Sequence, residues 1–518
     1  MNSATPAIAV PDDLTACQQI IRELHDALHR SRQEVEKLEH RLDELLKWRF
    51  GPKADRLDPN QLALFATEVL EQIQPPPAPA PKPSRPAQPA RNGHGRRPSL
   101  DDLPHEPKVH DLSEAEKLCP CCGQMREPIG AERSRQLEHQ PARLYVIEHI
   151  RPTYACKHCQ GNVETASKPL QPIEKGLAGP GLLAAVITAK YGDHLPLYRQ
   201  EDIFGRAGHA IPRSTTCGWL ASCAALVAPL YEHLKALVLA SAAINTDDTR
   251  VPVLDPRRGK TREGHIWVYV GDRRHPYIVF DYTPTHCREG PAKFLENFTG
   301  YIQADGYSGY DQLFVPKPDG TASAKEVGCW AHARRKFVEA ERSDTLRSHT
   351  AVALIKLLYE VEREAKDLSD ESRRALRQEK SAPRLAQIKE WLEAQRPMVL
   401  PQSPMAEAIG YCLNRWAAME RYVLDGRLAI DNNAAENALR PIVVGRKNWL
   451  FAGSDNGGRT GAVLASLVAS CKRHGVDPYA YLKDMLTRIA STPVSQLDQF
   501  LPDQWKAAHA ATVIPVTH

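Results

Sequence analysis

Residues 243–254 read AINTDDTRVPVL and begin a series of short strands set apart by turn residues. HIWVYVGD at 265–272 and PYIVFDY at 276–282 follow, rich in β-branched and aromatic residues and joined by basic turns. Runs of this composition, bounded by Gly, Pro and Asp, read as strands. A helix is expected in PAKFLENF at 291–298, then a strand in GYIQADGYSGY at 300–310 that ends in Asp305, then AKEVGCWAH at 324–332.

Three strands, a helix and a fourth strand are the order of a ribonuclease-H-like α/β core. In that core an acid on strand one and another at the end of strand four occupy adjacent sheet positions, here Asp247 or Asp248 and Asp305. Successive side chains on a strand point to opposite faces, so only one of Asp247 and Asp248 can join a shared site. Paired acids suit phosphodiester cleavage by two metals, in which carboxylates hold two Mg²⁺ ions about 3.5–4 Å apart. Magnesium takes oxygen ligands and keeps several waters, so a few carboxylates suffice. The glycines of DGYSGY at 305–310 leave room for metal or phosphate.

A third acid has to come from a helix packed on the sheet. The best stretch is IDNNAAENALRPIVVGRKNWLFAGSDNGG from Ile430, where Asn432 or Asn433 can cap a helix carrying Glu436 and Arg440. At a spacing of four these two share a face, and a surface ion pair between them is the plain reading. The setting favours more: Arg440, Arg446 and Lys447 supply positive charge, and Trp449 and Phe451 supply aromatic faces, as a surface for phosphates and bases would. Between Asp305 and Glu436, the stretches from Leu346 to Lys380 and from Pro383 to Arg396 have helical periodicity, so residues 333–428 read as a helical insertion. His332, at the strand–helix junction just before that insertion, either approaches the metals or the scissile phosphate or is structural. Residues 429–460 then return to the core, and 461–518 form a C-terminal helical region.

Upstream of the core (241–332), residues 172–240 read as helices. YRQEDIFGRAGHAIPRSTTCGWLASCAAL contains a helix, a turn at Gly208 and a second helix opened by Pro212, with Arg213, Ser214 and Thr215 at its start and Trp219 and Leu220 on its apolar face. That is helix-turn-helix spacing with a polar end fit for a major groove, and equally a plain packing hairpin. Residues 105–170 carry two C-x-x-C knuckles, Cys119 with Cys122 and Cys156 with Cys159. Two such turns brought together make the four-sulfur tetrahedron that zinc prefers; Cys121 is an ambiguous extra thiol. Residues 72–100 are proline-rich, with Lys82, Arg85, Arg91, Arg96 and Arg97 and no acid, and read as an extended basic linker. Within 12–50, apolar or small residues recur from Leu14 to Leu45 at alternating steps of three and four, the seam of a self-associating coiled coil or of an amphipathic helix packed on its own protein.

The 518 residues carry 67 Lys+Arg against 63 Asp+Glu, a net charge of +4. Taken alone, this balance gives no reason to expect nucleic acid. It conceals the basic linker and the basic stretch after Glu436, where a DNA phosphodiesterase needs its charge. No apolar run approaches the roughly twenty residues of a membrane span, so no membrane partner is expected. The start does not resemble a signal peptide, which points to a cytoplasmic protein.

Together these motifs resemble the insertion sequence 66 family of bacterial DDE transposases over most of the chain. The resemblance rests on WRFGPKADRL, CPCCG and the second C-x-x-C, KYGDHLPLYRQ, TDDT, QADGYSGY, CWAHARRKF, DNNAAENALRP with GRKNWLFAGS, and GVDPYAYLKDMLTRI. It implies catalytic acids at Asp247, Asp305 and Glu436, holding two Mg²⁺ ions for which Mn²⁺ substitutes, and structural Zn²⁺ on Cys119, Cys122, Cys156 and Cys159. It selects Asp247 over Asp248, although the family usually has Glu-Thr after the first acid and this chain has Asp248-Thr249. The expected architecture is multidomain α+β: a ribonuclease-H-like α/β catalytic core with a helical insertion, preceded by a coiled coil, a zinc-binding domain and a helix-turn-helix-like region. The expected partners are double-stranded DNA at element ends and target, a second copy through the coiled coil, and small accessory proteins of the same element. Two other readings remain: a DNA-binding protein without catalysis, inactive or domesticated, and a ribonuclease-H-like nuclease.

Overall fold

The computed structural model describes residues 170–510 apart from 175, 256–258 and 317–322, with helical positions between 18 and 31 and a few residues between 144 and 165. The expectations for most of the coiled coil (12–50), for the linker (72–100) and for the zinc ligands Cys119, Cys122, Cys156 and Cys159 lie outside the described residues. The described residues belong to one compact unit of the chain, formed by Met1–Gln74 and Leu144–His518.

From residue 170 onward the described residues begin with four α-helices: α1 (Pro180–Ile187), α2 (Leu197–Arg206), α3 (Arg213–Leu226) and α4 (Ala228–Leu239). Five strands follow, β1 (Ala243–Asp255), β2 (Lys260–Val270), β3 (Ile278–Thr283), β4 (Tyr301–Gln303) and β5 (Lys325–Val327), with the short α5 (Glu289–Phe294) before β4. They form one sheet in the order β3-β2-β1-β4-β5. The first three strands are antiparallel, whereas β4 runs parallel to β1 and β5 parallel to β4. This is the ribonuclease-H-like arrangement expected from the order of elements. The boundaries moved: β4 stops at Gln303, two residues short of Asp305, and α5 ends four residues before Phe298.

Helices cover both faces of the sheet, which explains why β2 is apolar from Ile266 to Val270 rather than alternating. On one face Val251, Ile266, Val268 and Phe280 pack against Ala435, Ala438 and Leu439 of α12 (Asn433–Trp449) and Ala462 and Ala465 of α13 (Asp455–Arg473). On the other, Ile244, Trp267, Tyr269 and Val279 join the core of α1, α3 and α4. Each fully buried large side chain contributes about 1.5–3 kcal/mol. Strand β3 is an edge, and its outward amides need partners. Serines supply them: Phe280 N–H donates to Ser466 Oγ (2.8 Å) and Ile278 N–H to Ser470 Oγ (3.1 Å), both from α13. Gly458 admits this close approach, because a Cβ there would lie 2.6 Å from the Tyr282 ring.

Between β5 and α12 lies the helical insertion, α6 (Trp330–Glu339), α7 (Thr345–Glu364), α8 (Asp370–Leu376), α9 (Ala382–Gln395), α10 (Pro404–Asn414) and α11 (Trp416–Glu420). It has its own core around Trp330, Phe337, Ile355, Leu392, Ile409 and Trp416. Arg377 is buried there in an ion pair with Glu362 (2.6 Å) and donates to the Tyr422 carbonyl (2.9 Å). After α13 come α14 (Pro478–Arg488) and α15 (Pro502–Ala510). Among the described residues no single helix is long and apolar enough to cross a membrane. The bent pair α3 and α4 passes by length and composition alone, and its Trp219, Leu220, Leu230 and Leu234 are buried in the protein core.

Candidate active site

The register of β1 and β4 decides which acids meet. Asn245 pairs with Gln303 in parallel, and continuing two residues along each chain brings Asp247 level with Asp305. Neighbouring strands lie about 4.8 Å apart, and Asp305 lies two residues beyond the end of β4. Its carboxylate accepts from the Tyr307 amide (3.0 Å), and its carbonyl accepts from Tyr411 Oη (2.9 Å). Gly306 takes φ +89°, a turn that L side chains disfavour, and a Cβ there would meet Arg415 Nε at 2.9 Å.

The third acid arrives through a buried asparagine. Asn432 sits at the N-terminus of α12 without capping it; its Nδ2 donates to the Thr246 carbonyl (2.8 Å) and its Oδ1 accepts from Asn245 Nδ2 (3.0 Å). The expected cap is thus a tether to β1, next to Asp247. Asn245 also contacts Gln303 Oε1 (3.2 Å), and Gln303 Nε2 donates to the Gly328 and Ala429 carbonyls. These amides lock β1, β4 and the start of α12 together, and Glu436 follows one turn into the helix. Sequence reasoning missed Asn245 and Gln303, which carry no catalytic signal; only their positions two residues before each acid mark them.

Electrostatics record the convergence. Burial pushes the Asp247 carboxyl up from 3.8 to about 7, and the nearby charges of Asp305, Asp248 and Glu436 push the same way. The Asp248 amide, donating to Asp247 Oδ1 at 2.8 Å, opposes the shift. A buried carboxyl with further carboxylates around it is a site short of positive charge, and a divalent cation answers that need. Their all-oxygen donor set fits magnesium or manganese.

Glu436 meets His332 Nε2 (3.6 Å) and Arg335 (3.3 Å), both from α6. Its ion-pair partner is therefore Arg335, not the Arg440 one turn on, which is exposed. His332 lies beside the acids as one of its two sequence readings required. Burial lowers its pKa first, Arg335 adds to that, and Asp305 and Glu436 oppose it. Arg446 donates to Thr249 Oγ1 (3.2 Å) and to the Arg250 carbonyl, fixing the end of α12 to β1, while Lys447 is exposed. Arg213, Ser214 and Thr215 are exposed in the first turn of α3, after a turn with Gly208 at φ +99°.

Residues 175–460 match the family described as Transposase IS66 family. The chain belongs to this family. Residues 466–502 match the IS66 C-terminal element and 116–160 the zinc-finger binding domain of transposase IS66. Residues 37–107 match an N-terminal element described as Transposase C of IS166 homeodomain. Among relatives, the uncharacterized proteins y4hP and y4qI of Sinorhizobium fredii (strain NBRC 101917 / NGR234) are 35% and 36% identical, over 81% and 79% of this chain and 78% of each relative. As an IS66-family member the chain is a DDE-type, metal-dependent transposase, and its N-terminal elements accord with DNA binding and self-association. Apart from the acids, Asp248, His265 and His286 bring three ligand atoms of metal-binding type within 4.8 Å of one another.

Proposed function

We propose that Asp247, Asp305 and Glu436 are the catalytic acids of this IS66 transposase, that they hold two Mg²⁺ ions, and that Mn²⁺ substitutes. The observation that carries the reading is the parallel register that sets Asp247 beside Asp305, and the charges of Asp305 and Glu436 add to the burial that raises the Asp247 pKa. When bound, the ions supply activation of the attacking oxygen and stabilisation of the leaving oxygen in an in-line displacement. The chain's own work is positioning. Backbone amides of Asp248 and Tyr307 orient the two sheet carboxylates, and Asn432 sets the depth at which Glu436 enters. Arg335, half exposed beside Glu436, is placed to meet a phosphate oxygen when DNA occupies the site.

The substrate is the phosphodiester at the ends of the chain's own element, followed by attack of the freed 3′-hydroxyl on target DNA. Arg213, Ser214 and Thr215 open α3, where a helix N-terminus and an exposed arginine favour phosphate. Arg440 and Lys447 extend the positive surface along α12, and Arg446, held to β1, adds its charge there. Zinc on Cys119, Cys122, Cys156 and Cys159 lies within the match to the zinc-finger domain. The coiled coil at 12–50 makes a homo-oligomer, accessory proteins of the element assist, and the protein works in the cytoplasm. The chain divides into domains at the limits its sequence suggests. Incubating full-length protein with end-containing DNA and Mg²⁺ or Mn²⁺ tests it: cleavage is expected at the ends and lost in Asp305→Ala, and cleavage surviving that change overturns it. Cutting of structured DNA without preference for ends would instead favour a general nuclease.

A further inference from the structure

The face of the sheet away from Asp247 carries a separate group that transposition chemistry has not used. Alternation turns Asp248 to that face, with His265 two residues before its partner Trp267 on β2. Asp248 Oδ2 lies 2.6 Å from His265 Nδ1, and Oδ1 lies 3.2 Å from His286 Nε2, on the loop after β3. The three ligand atoms fall within 4.8 Å of one another. His265 is 2% exposed, and its other nitrogen, Nε2, faces Glu263 Oε1 at 3.4 Å. His286 is 42% exposed and stacks between His265 (centroids 4.2 Å apart) and Tyr307 (4.4 Å).

We propose that Asp248, His265 and His286 bind a late first-row divalent metal ion of the zinc type, distinct from the ions of the catalytic acids. The donor chemistry makes the distinction: two imidazoles and one carboxylate suit zinc, whereas the acids offer oxygen alone. His265 has both ring nitrogens facing carboxylates, and a neutral imidazole has one N–H to give. A cation that replaces the proton shared by Nδ1 and Asp248 leaves the ring N–H on Nε2, where Glu263 can accept it. A metal-bound histidine backed by an outer carboxylate is the usual arrangement for zinc. Donor distances of about 2.0–2.1 Å require the 2.6 Å contact to open and the His286 ring to turn from its stack, which its exposure permits. The ion also has a positioning role. Asp248 supplies the amide that holds Asp247, and Tyr307, which stacks on His286 and donates to its carbonyl (2.7 Å), supplies the amide that holds Asp305.

The test is a zinc titration of full-length, metal-stripped protein in excess Mg²⁺, comparing wild type with His286→Ala, His286→Gln and Asp305→Ala. Wild type and Asp305→Ala are expected to bind one more equivalent than either His286 variant, beyond whatever the cysteines hold. With Co²⁺ the missing equivalent should show d–d absorption without thiolate charge transfer. Equal stoichiometry in wild type and both His286 variants overturns the proposal and leaves a hydrogen-bonded Asp–His pair. Loss of the equivalent in Asp305→Ala, or its displacement by Mg²⁺, also overturns it, because the zinc then belongs to the catalytic acids. Melting temperatures in chelator confirm that the variants compared are folded.

Discussion

Neutralising Asp247 should make the metal-free protein more stable and abolish its chemistry. Its carboxyl moves from 3.8 to about 7 on folding. The sign follows: below pH 3.8 both states are protonated and nothing is lost, whereas between 3.8 and 7 the folded state holds a proton that the unfolded state has released. Stability therefore falls as pH rises through that window and stays low above it. At 1.36 kcal/mol per pH unit, the ionised group costs the metal-free fold roughly 4 kcal/mol near pH 8. With about 2.1 cal/mol/K of unfolding entropy per residue over residues 170–510, that corresponds to about 6 °C. Asn at 247 keeps an oxygen to accept from the Asp248 amide, so the change isolates the charge. In chelator, Asp247→Asn should melt several degrees above wild type near pH 8 and converge with it toward pH 4. Excess Mg²⁺ should raise wild type more than the variant. Matching melting curves at both pH values would refute a buried Asp247 carboxyl whose charge opposes folding.

Other consequences follow from particular contacts. Asn432→Ala removes the two side-chain bonds that pin α12 and leaves the Thr246 carbonyl unpaired, a loss of about 1–3 kcal/mol in urea unfolding; cleavage should fall further than stability, because Glu436 loses its depth. Arg377→Ala strands Glu362 inside the insertion and should cost about 3–5 kcal/mol, read by thermal unfolding. Arg213→Ala and Lys447→Ala should each weaken end binding and reduce the slope of log K against log salt by about 1.

Much of the core was legible because strands, unlike sites, advertise themselves by composition. TDDT and QADG lay on β1 and just past β4, and the parallel register that aligns them follows from the strand order. The helix carrying Glu436 was legible as a helix, but the function of Asn432 was not. An asparagine before a helix reads as a cap, and only the sheet beneath it turned the side chain into a tether. Arg446 was likewise expected on a DNA-facing surface and proves to be bound to β1 at Thr249 and Arg250. The Asp248 group escaped notice because His265 and His286 sit 17 and 38 positions from Asp248, with no spacing that marks a shared site; the fold of β2 and β3 over β1 brings them together.

Asp247, Asp305 and Glu436 are proposed to act as one metal-dependent phosphodiesterase site. The direct measurement is single-turnover cleavage of element-end DNA in Mg²⁺ by Asp247→Asn, Asp305→Asn and Glu436→Gln, each shown by gel shift to bind the end. Binding should stay intact and cleavage be lost in all three, with the double variants no worse than the singles. Cleavage at the wild-type rate by any one of them would contradict that proposal.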